Sequence, residues 1–175
     1  KHCHDIINQG YGTKGYSAHD HIAKGYNWRL PSIQAAIGCT QIKKLKELVR
    51  KRREKARIYI DALQDYVEIH QIPDECSSSY YSFLIMLPQK VIRDKLMSYL
   101  KENGIETKLW IPVHRYPPYL DYGPFPNAEY IHDHHLRLPI HNLLSENEIS
   151  FVAETIVDGL KKFHWMSWIG QVSNY

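Results

Sequence analysis

The sequence predicts a chain of the α/β class in its α+β form: a long connecting helix, then a small, mainly antiparallel sheet covered on one face by helices. Three observations carry that expectation. A helical apolar period starts at Pro31 and runs to about Tyr66; the stretch Tyr80-Tyr81-Ser82-Phe83-Leu84-Ile85-Met86-Leu87 has the length and aromatic content of a buried strand; and Ser145-Glu146-Asn147-Glu148 is a capping box that opens a last helix.

The elements follow in order. Residues 1–30 are rich in glycine and aromatics (Gly10, Tyr11, Gly12, Gly15, Tyr16, Gly25, Tyr26) with little periodicity, and read as a loop-dominated lead-in of the kind that often carries sites. From Pro31, near a first helical turn, the apolar positions Ile33, Ile37, Leu45, Leu48, Val49, Ala56, Tyr59, Ile60 and Leu63 lie mostly three or four apart. As one rod this stretch would span roughly 54 Å, so a bend is expected near Gly38. Val67 to Ile72 reads as a short strand, Pro73 to Ser79 as a polar loop, and Pro88 stops the Tyr80–Leu87 strand. Residues 90–102 repeat the helical period through Val91, Leu96 and Leu100, with Asn103-Gly104 as the stop. Ile105 to Ile111 reads as another strand, Pro112 to Pro126 as a Pro- and Tyr-rich loop, and Asn127 to Leu136 as a short helix. The last helix, from the capping box, extends to about Phe163.

Composition narrows the function classes. With 175 residues, 43% of them apolar, and only nine Pro and nine Gly, the chain has material for a sizeable core and is neither disordered nor collagenous. A net charge of +3 does not call for nucleic acid or a membrane surface as partner. The three cysteines, Cys3, Cys39 and Cys76, are unpaired in number and without a C-x-x-C motif, which fits a reducing, cytoplasmic compartment. No run of 18 apolar residues and no signal-like start appears, and Lys1 in place of Met reads as a start inside a longer gene product.

Four clusters invite chemistry. Between Lys43 and Arg57 stand nine Lys or Arg against two Glu, but these surround an apolar stripe, so a solvated helix face is the expectation rather than a nucleic-acid surface. The histidine groups His2-Cys3-His4-Asp5 and His132-Asp133-His134-His135 lack further ligands at a recognised spacing, and no metal site is expected. Gly25-Tyr26-Asn27-Trp28-Arg29-Leu30-Pro31 gathers an amide, a guanidinium and two aromatics before a helix; this suits a phosphate or carboxylate, and suits a capped helix entry equally well. The same two readings stay open for Trp110-Ile111-Pro112-Val113-His114-Arg115-Tyr116-Pro117-Pro118.

These segments, together with Ile33-Gln34-Ala35-Ala36-Ile37-Gly38, Arg52-Arg53-Glu54, Phe125-Pro126-Asn127-Ala128-Glu129 and Leu138-Pro139-Ile140-His141, resemble in type and order the C-terminal half of the DegT/DnrJ/StrS-type sugar aminotransferases. The resemblance covers nearly the whole chain. It implies the small domain of a fold-type-I enzyme that uses pyridoxal 5′-phosphate (PLP), with residues 1–40 a crossing segment from a large domain into the connecting helix and 41–175 the small domain. It implies Asn27 as a cofactor-binding contact to the PLP phosphate across a homodimer with shared active sites, Arg29 as a cofactor-binding residue that anchors an anionic group of cofactor or substrate, and His114 and Tyr116 as substrate contacts lining the sugar-nucleotide entrance. That substrate is a nucleotide-linked keto-sugar, with glutamate as amino donor. The lysine that carries PLP lies upstream of residue 1 in such enzymes. Lys14 and Lys24 stand in no Ser-x-x-x-x-Lys context, so no catalytic residue is expected within this chain, which alone would be inactive. The alternative is a truncated, catalytically inactive paralogue acting as a binding or regulatory module, which would expose a large apolar patch.

Overall fold

The computed structural model describes residues 2–10 and 23–163. Lys14 and the aromatic tail with Trp165 and Trp168 lie outside the described residues. Two compact units divide the chain, Lys1–Lys46 and Glu47–Tyr175. The described part of the first unit has a short helix α1, His2–Ile7, where a loop was expected, and the beginning of α2, Ser32–Leu63. Over its 32 residues α2 is unbroken helix, including at Gly38, where the sequence suggested a bend. It is an axis of about 48 Å at 1.5 Å per residue.

The second unit packs helices and one small sheet around a single core. Its strands are β1 (Glu68–Ile69), β2 (Phe83–Met86) and β3 (His135–Leu138), antiparallel in the order β1-β2-β3. Its further helices are α3 (Lys90–Glu102), α4 (Pro126–His134) and α5 (Glu146–Lys162), with two single 3₁₀ turns at Val113–Arg115 and Pro117–Tyr119. Register puts Phe83 opposite Leu138 and Ile85 opposite Leu136, and all four are buried. Because side chains alternate along a strand, this makes one inner face. It joins Ala56, Tyr59 and Leu63 of α2, Leu96 and Leu100 of α3, and Ile149, Val152, Ile156 and Leu160 of α5 in a single cluster. The mixed class and the small antiparallel sheet are therefore as the sequence predicted.

Two predicted elements differ. Ile105 to Ile111 is not a strand: among the described residues its backbone pairs with the sheet only at the isolated bridge between Lys108 and Arg137. The third strand is instead His135–Leu138, whose first two residues had been counted into the preceding helix; α4 ends at His134. The helix stops there because the next residue, His135, takes extended dihedrals (φ −79°, ψ 150°) and its side chain bonds back to the helix, Nδ1 to Ile131 O at 2.8 Å. The Val67–Ile72 strand shrinks to two residues and the Tyr80–Leu87 strand to four.

Helix ends are set by local chemistry. At the end of α3, Gly104 takes φ +77°, and the N–H groups of Gly104 and Ile105 donate to Lys101 O (3.0 Å) and Leu100 O (2.9 Å). This is a Schellman closure that only glycine enters without penalty, and it seats Ile105 in the core against Leu100. At the start of α5 the capping box forms as the sequence indicated: Glu148 N donates to Ser145 Oγ at 3.2 Å, and Ser145 N donates to Glu148 Oε2 at 2.7 Å. These bonds to Ser145 hold the Glu148 carboxyl below its ordinary pKa. Gly159 lets α5 meet α3: a Cβ there would stand 2.8 Å from both Leu96 and Tyr99.

Candidate functional site

In the first unit the segment that follows Gly25 is laid antiparallel against the chain after α1. Tyr26 N donates to Ile6 O (2.7 Å), Gln9 N to Tyr26 O (2.9 Å) and Trp28 N to Ile7 O (3.0 Å), with Asn8 and Asn27 as the bridge pair. The backbones approach so closely that a Cβ on Gly25 would lie 2.0 Å from Gly10 N. Alternation along this extended stretch places Tyr26 and Trp28 on the same side, where their rings stack at 4.3 Å and 6°. Asn27 and Arg29 fall on the other, and both are exposed. Arg29 Nε donates to Asn8 Oδ1 at 2.8 Å, and Asn8 Nδ2 in turn donates to His4 O at 3.1 Å. The Asn27 amide has no hydrogen-bond partner among the described residues. An oriented guanidinium with its terminal nitrogens still available, beside an unengaged amide, is a donor set that fits a phosphate group.

The second unit holds the other predicted pair. His114 sits on the 3₁₀ turn Val113–Arg115 after Pro112, half-buried, and its Nε2 lies 2.6 Å from Glu129 Oε1. Arg115 reaches the same carboxylate through Nε, 3.0 Å from Oε1, and through its NH2 on Oε2. Glu129 stands in the first turn of α4, so one carboxylate ties the loop to the helix. Arg115 first, then His114, hold its pKa down at about 2, and the carboxylate in turn raises that of Arg115. Beside this network the Phe125 ring packs on His114 at 5.0 Å, and Pro112, Val113, His114, Tyr119, Tyr122 and Phe125 line an aromatic cleft of about 480 Å³. Tyr116 is exposed and does not line it.

Glu129, Tyr119 and Tyr122 were not singled out from the sequence. Glu129 was visible as the end of Phe125-Pro126-Asn127-Ala128-Glu129, a carboxylate in a first helical turn, but nothing in a linear spacing ties it to His114, 15 residues earlier. The histidines of α4 and β3 are engaged with the backbone. His132 Nδ1 lies 2.8 Å from Trp110 O, and His135 Nε2 accepts from Trp110 N at 2.9 Å. Among the described residues no group of three or more His, Cys, Asp or Glu is placed to hold a metal ion, and no helix is long and apolar enough to cross a membrane.

The arrangement of long helix, small antiparallel sheet and covering helices is that of sugar aminotransferases. An aminotransferase from Streptoalloteichus hindustanus, TlmJ, superposes with a TM-score of 0.79 at 26% identity, over 93% of this chain and 45% of its own. A DegT/DnrJ/EryC1/StrS aminotransferase from Brucella abortus gives 0.76 at 28% identity, over 89% of this chain and 42% of its own. The chain belongs to the DegT/DnrJ/EryC1/StrS aminotransferase family, whose profile matches residues 1–157. Among curated relatives, the GDP-perosamine synthase of Escherichia coli O157:H7 is 29% identical over 150 residues, which are 85% of this chain and 41% of the relative. The chain thus spans about two fifths of the length of the relatives it matches. The family's enzymes use PLP.

Proposed function

We propose that this chain is the C-terminal part of a PLP-dependent nucleotide-sugar aminotransferase, a cytoplasmic homodimer that aminates a keto-sugar with glutamate as donor for polysaccharide or deoxyaminosugar synthesis. The observation that carries this reading is the family match over residues 1–157, joined to a span of two fifths of the relatives' length. PLP, when bound, supplies an electron-withdrawing ring that lets an amino group pass from donor to acceptor. The chain's own residues bind and orient. Asn27 and Arg29 donate N–H groups to the cofactor phosphate, with Asn8 fixing the angle of the Arg29 guanidinium. Residues 1–40 cross from the large domain and residues 41–175 form the small domain.

His114 and the aromatic cleft form the substrate-side wall, with Tyr116 at its exposed margin. A sugar face packs on Tyr119, Tyr122 and Phe125, and the carboxylate of Glu129 keeps His114 and Arg115 in place. The lysine that carries PLP is contributed by polypeptide outside these residues. The test is amino transfer from glutamate to a nucleotide-linked keto-sugar, read as 2-oxoglutarate release. The 175-residue chain alone should give none, and the chain continuous with a large domain of the family should give turnover. In the latter, Asn27→Ala should weaken PLP retention about tenfold, the loss of one charge-assisted hydrogen bond. Turnover by the isolated chain, or borohydride fixation of PLP to one of its lysines, would overturn the reading.

A further inference from the structure

In the second unit most arginines have an evident partner. Arg50 pairs with Glu47 and Glu54, Arg93 with Asp94 and Arg115 with Glu129, while Arg53 donates to Ser77 and Ser78. Arg57, which is exposed, has no such partner among the described residues, and Arg52 and Arg137 differ again. Among the described residues neither guanidinium has a carboxylate or a hydrogen-bond acceptor, and the Nε of Arg52 is buried without one. What both have is an aromatic ring. The Arg137 guanidinium lies 5.9 Å from the Tyr81 centroid and 5.4 Å from that of Trp110, and the Arg52 guanidinium lies 6.0 Å from Tyr81.

These four residues come from four parts of the chain, and the backbones of Arg137 and Trp110 are fixed by hydrogen bonds. Arg137 is on β3 opposite Leu84, so it stands on the sheet face away from Phe83 and Ile85. Lys108 brackets its backbone with bonds of 3.2 and 3.1 Å. Trp110 is pinned through both backbone polar groups by the buried His132 and His135. Arg52 is on α2, and Tyr81 is 66% exposed with both cations within 6.0 Å of its ring centroid. A ring face attracts a guanidinium and leaves its N–H edge unoccupied. Two such edges near one ring repel each other until an oxyanion accepts from both. Planar forks from two elements match an anion with two sets of phosphoryl oxygens better than they match one carboxylate.

We propose that Arg52 and Arg137, set around Tyr81 and backed by Trp110, form a binding site for a diphosphate group. It is a separate cluster from the His114 cleft; it deepens the aminotransferase reading by placing the diphosphate of a nucleotide-linked substrate, yet anion binding and amino transfer can each fail without the other. The group has two sources, inorganic diphosphate and a nucleoside diphosphate. Both are titrated calorimetrically into the 175-residue chain at constant ionic strength. Saturable binding tighter than about 1 mM is expected for at least one. Arg137→Gln and Arg52→Gln should each weaken it about tenfold or more, Arg137→Lys less, and Arg57→Gln, an exposed arginine of the same helix, not at all. Circular dichroism checks that each variant keeps its fold, and Arg137→Lys carries the test if the Gln variants do not. GDP binding tighter than inorganic diphosphate, with the excess lost in Trp110→Leu, supports a nucleotide source; equal binding supports the free anion. No saturation by either ligand, or equal weakening by Arg57→Gln, would overturn the site.

Discussion

In the first half of α2, Ile33, Ile37, Ile42 and Leu45 are 77%, 58%, 71% and 54% exposed, whereas in the second half Ala56, Tyr59 and Leu63 are fully buried. Both halves carry apolar residues at spacings close to the helical period, so periodicity alone does not distinguish them. What differs is the surroundings. Within the second unit the Tyr59 hydroxyl donates to Pro139 O at 2.8 Å and its ring meets Phe83 at 5.0 Å, while Lys55 donates to His141 O and Asn142 O at 3.0 and 2.8 Å. The second half therefore belongs to the buried core of the second unit. The first half presents apolar surface of the kind that marks an interaction face, which under the proposed function is where the large domain packs.

The sharpest way to break this comparison is to cut into the buried half. Leu63→Ala truncates a fully buried side chain of the core cluster and should cost about 2–5 kcal/mol in urea unfolding. A loss under about 1 kcal/mol would mean that the second half is as loosely held as the first. Next in size is the cap of α5. Ser145→Ala removes the acceptor for Glu148 N and should cost about 1 kcal/mol. The Glu148 carboxyl should then titrate closer to its ordinary value, which a carboxyl-detected NMR titration reads directly.

A smaller, pH-dependent effect comes from His135. Burial is the largest cause lowering its pKa from 6.5, partly offset by the bond to the Ile131 carbonyl. The sign follows from linkage: with the folded value depressed, the unfolded chain binds the proton more readily. The stabilising contribution is present above about pH 6.5 and is lost as the pH falls below it. The neutral ring is also the one that accepts from Trp110 N, so the protection factor of the Trp110 amide, taken relative to the intrinsic exchange rate at each pH, should fall between pH 7 and 5 along with the unfolding midpoint. An amide equally protected at both pH values would show that the ring does not carry that bond.

Much of this architecture could be read locally. The α3 stop at Asn103-Gly104, the α5 capping box and the long α2 period are each specified by residues within a few positions of one another; the first two formed as expected, and α2 formed without the bend expected near Gly38. What was missed depends on distant partners. His135-Leu136-Arg137-Leu138 becomes a strand because Phe83–Met86 offers it an antiparallel edge, and Lys108 gains only a single bridge on the other edge because Trp110, two residues on, bonds to the rings of His135 and His132 instead of to the β3 backbone. The His114–Glu129–Arg115 network illustrates the same limit at a candidate site. His114 was visible as a residue type in a rigid loop, while the carboxylate that holds it arrives with the first turn of α4 and is fixed by folding rather than by spacing.

The smallest expected effect sharpens the comparison most. Ile37→Ser in the exposed half should change the stability of the 175-residue chain by no more than about 0.5 kcal/mol, because an exposed side chain loses little burial when it is shortened. The same substitution in a polypeptide that also carries the large domain should cost about 1–3 kcal/mol, the burial of one aliphatic side chain turned to the burial of a hydroxyl. Equal, near-zero costs in both settings would mean that this face has no apolar partner, and the exposed half of α2 would then be a solvated helix like any other. A large cost in the isolated chain would instead mean that the face is already covered in solution by a second copy, which sedimentation or light scattering would show as a concentration-dependent mass.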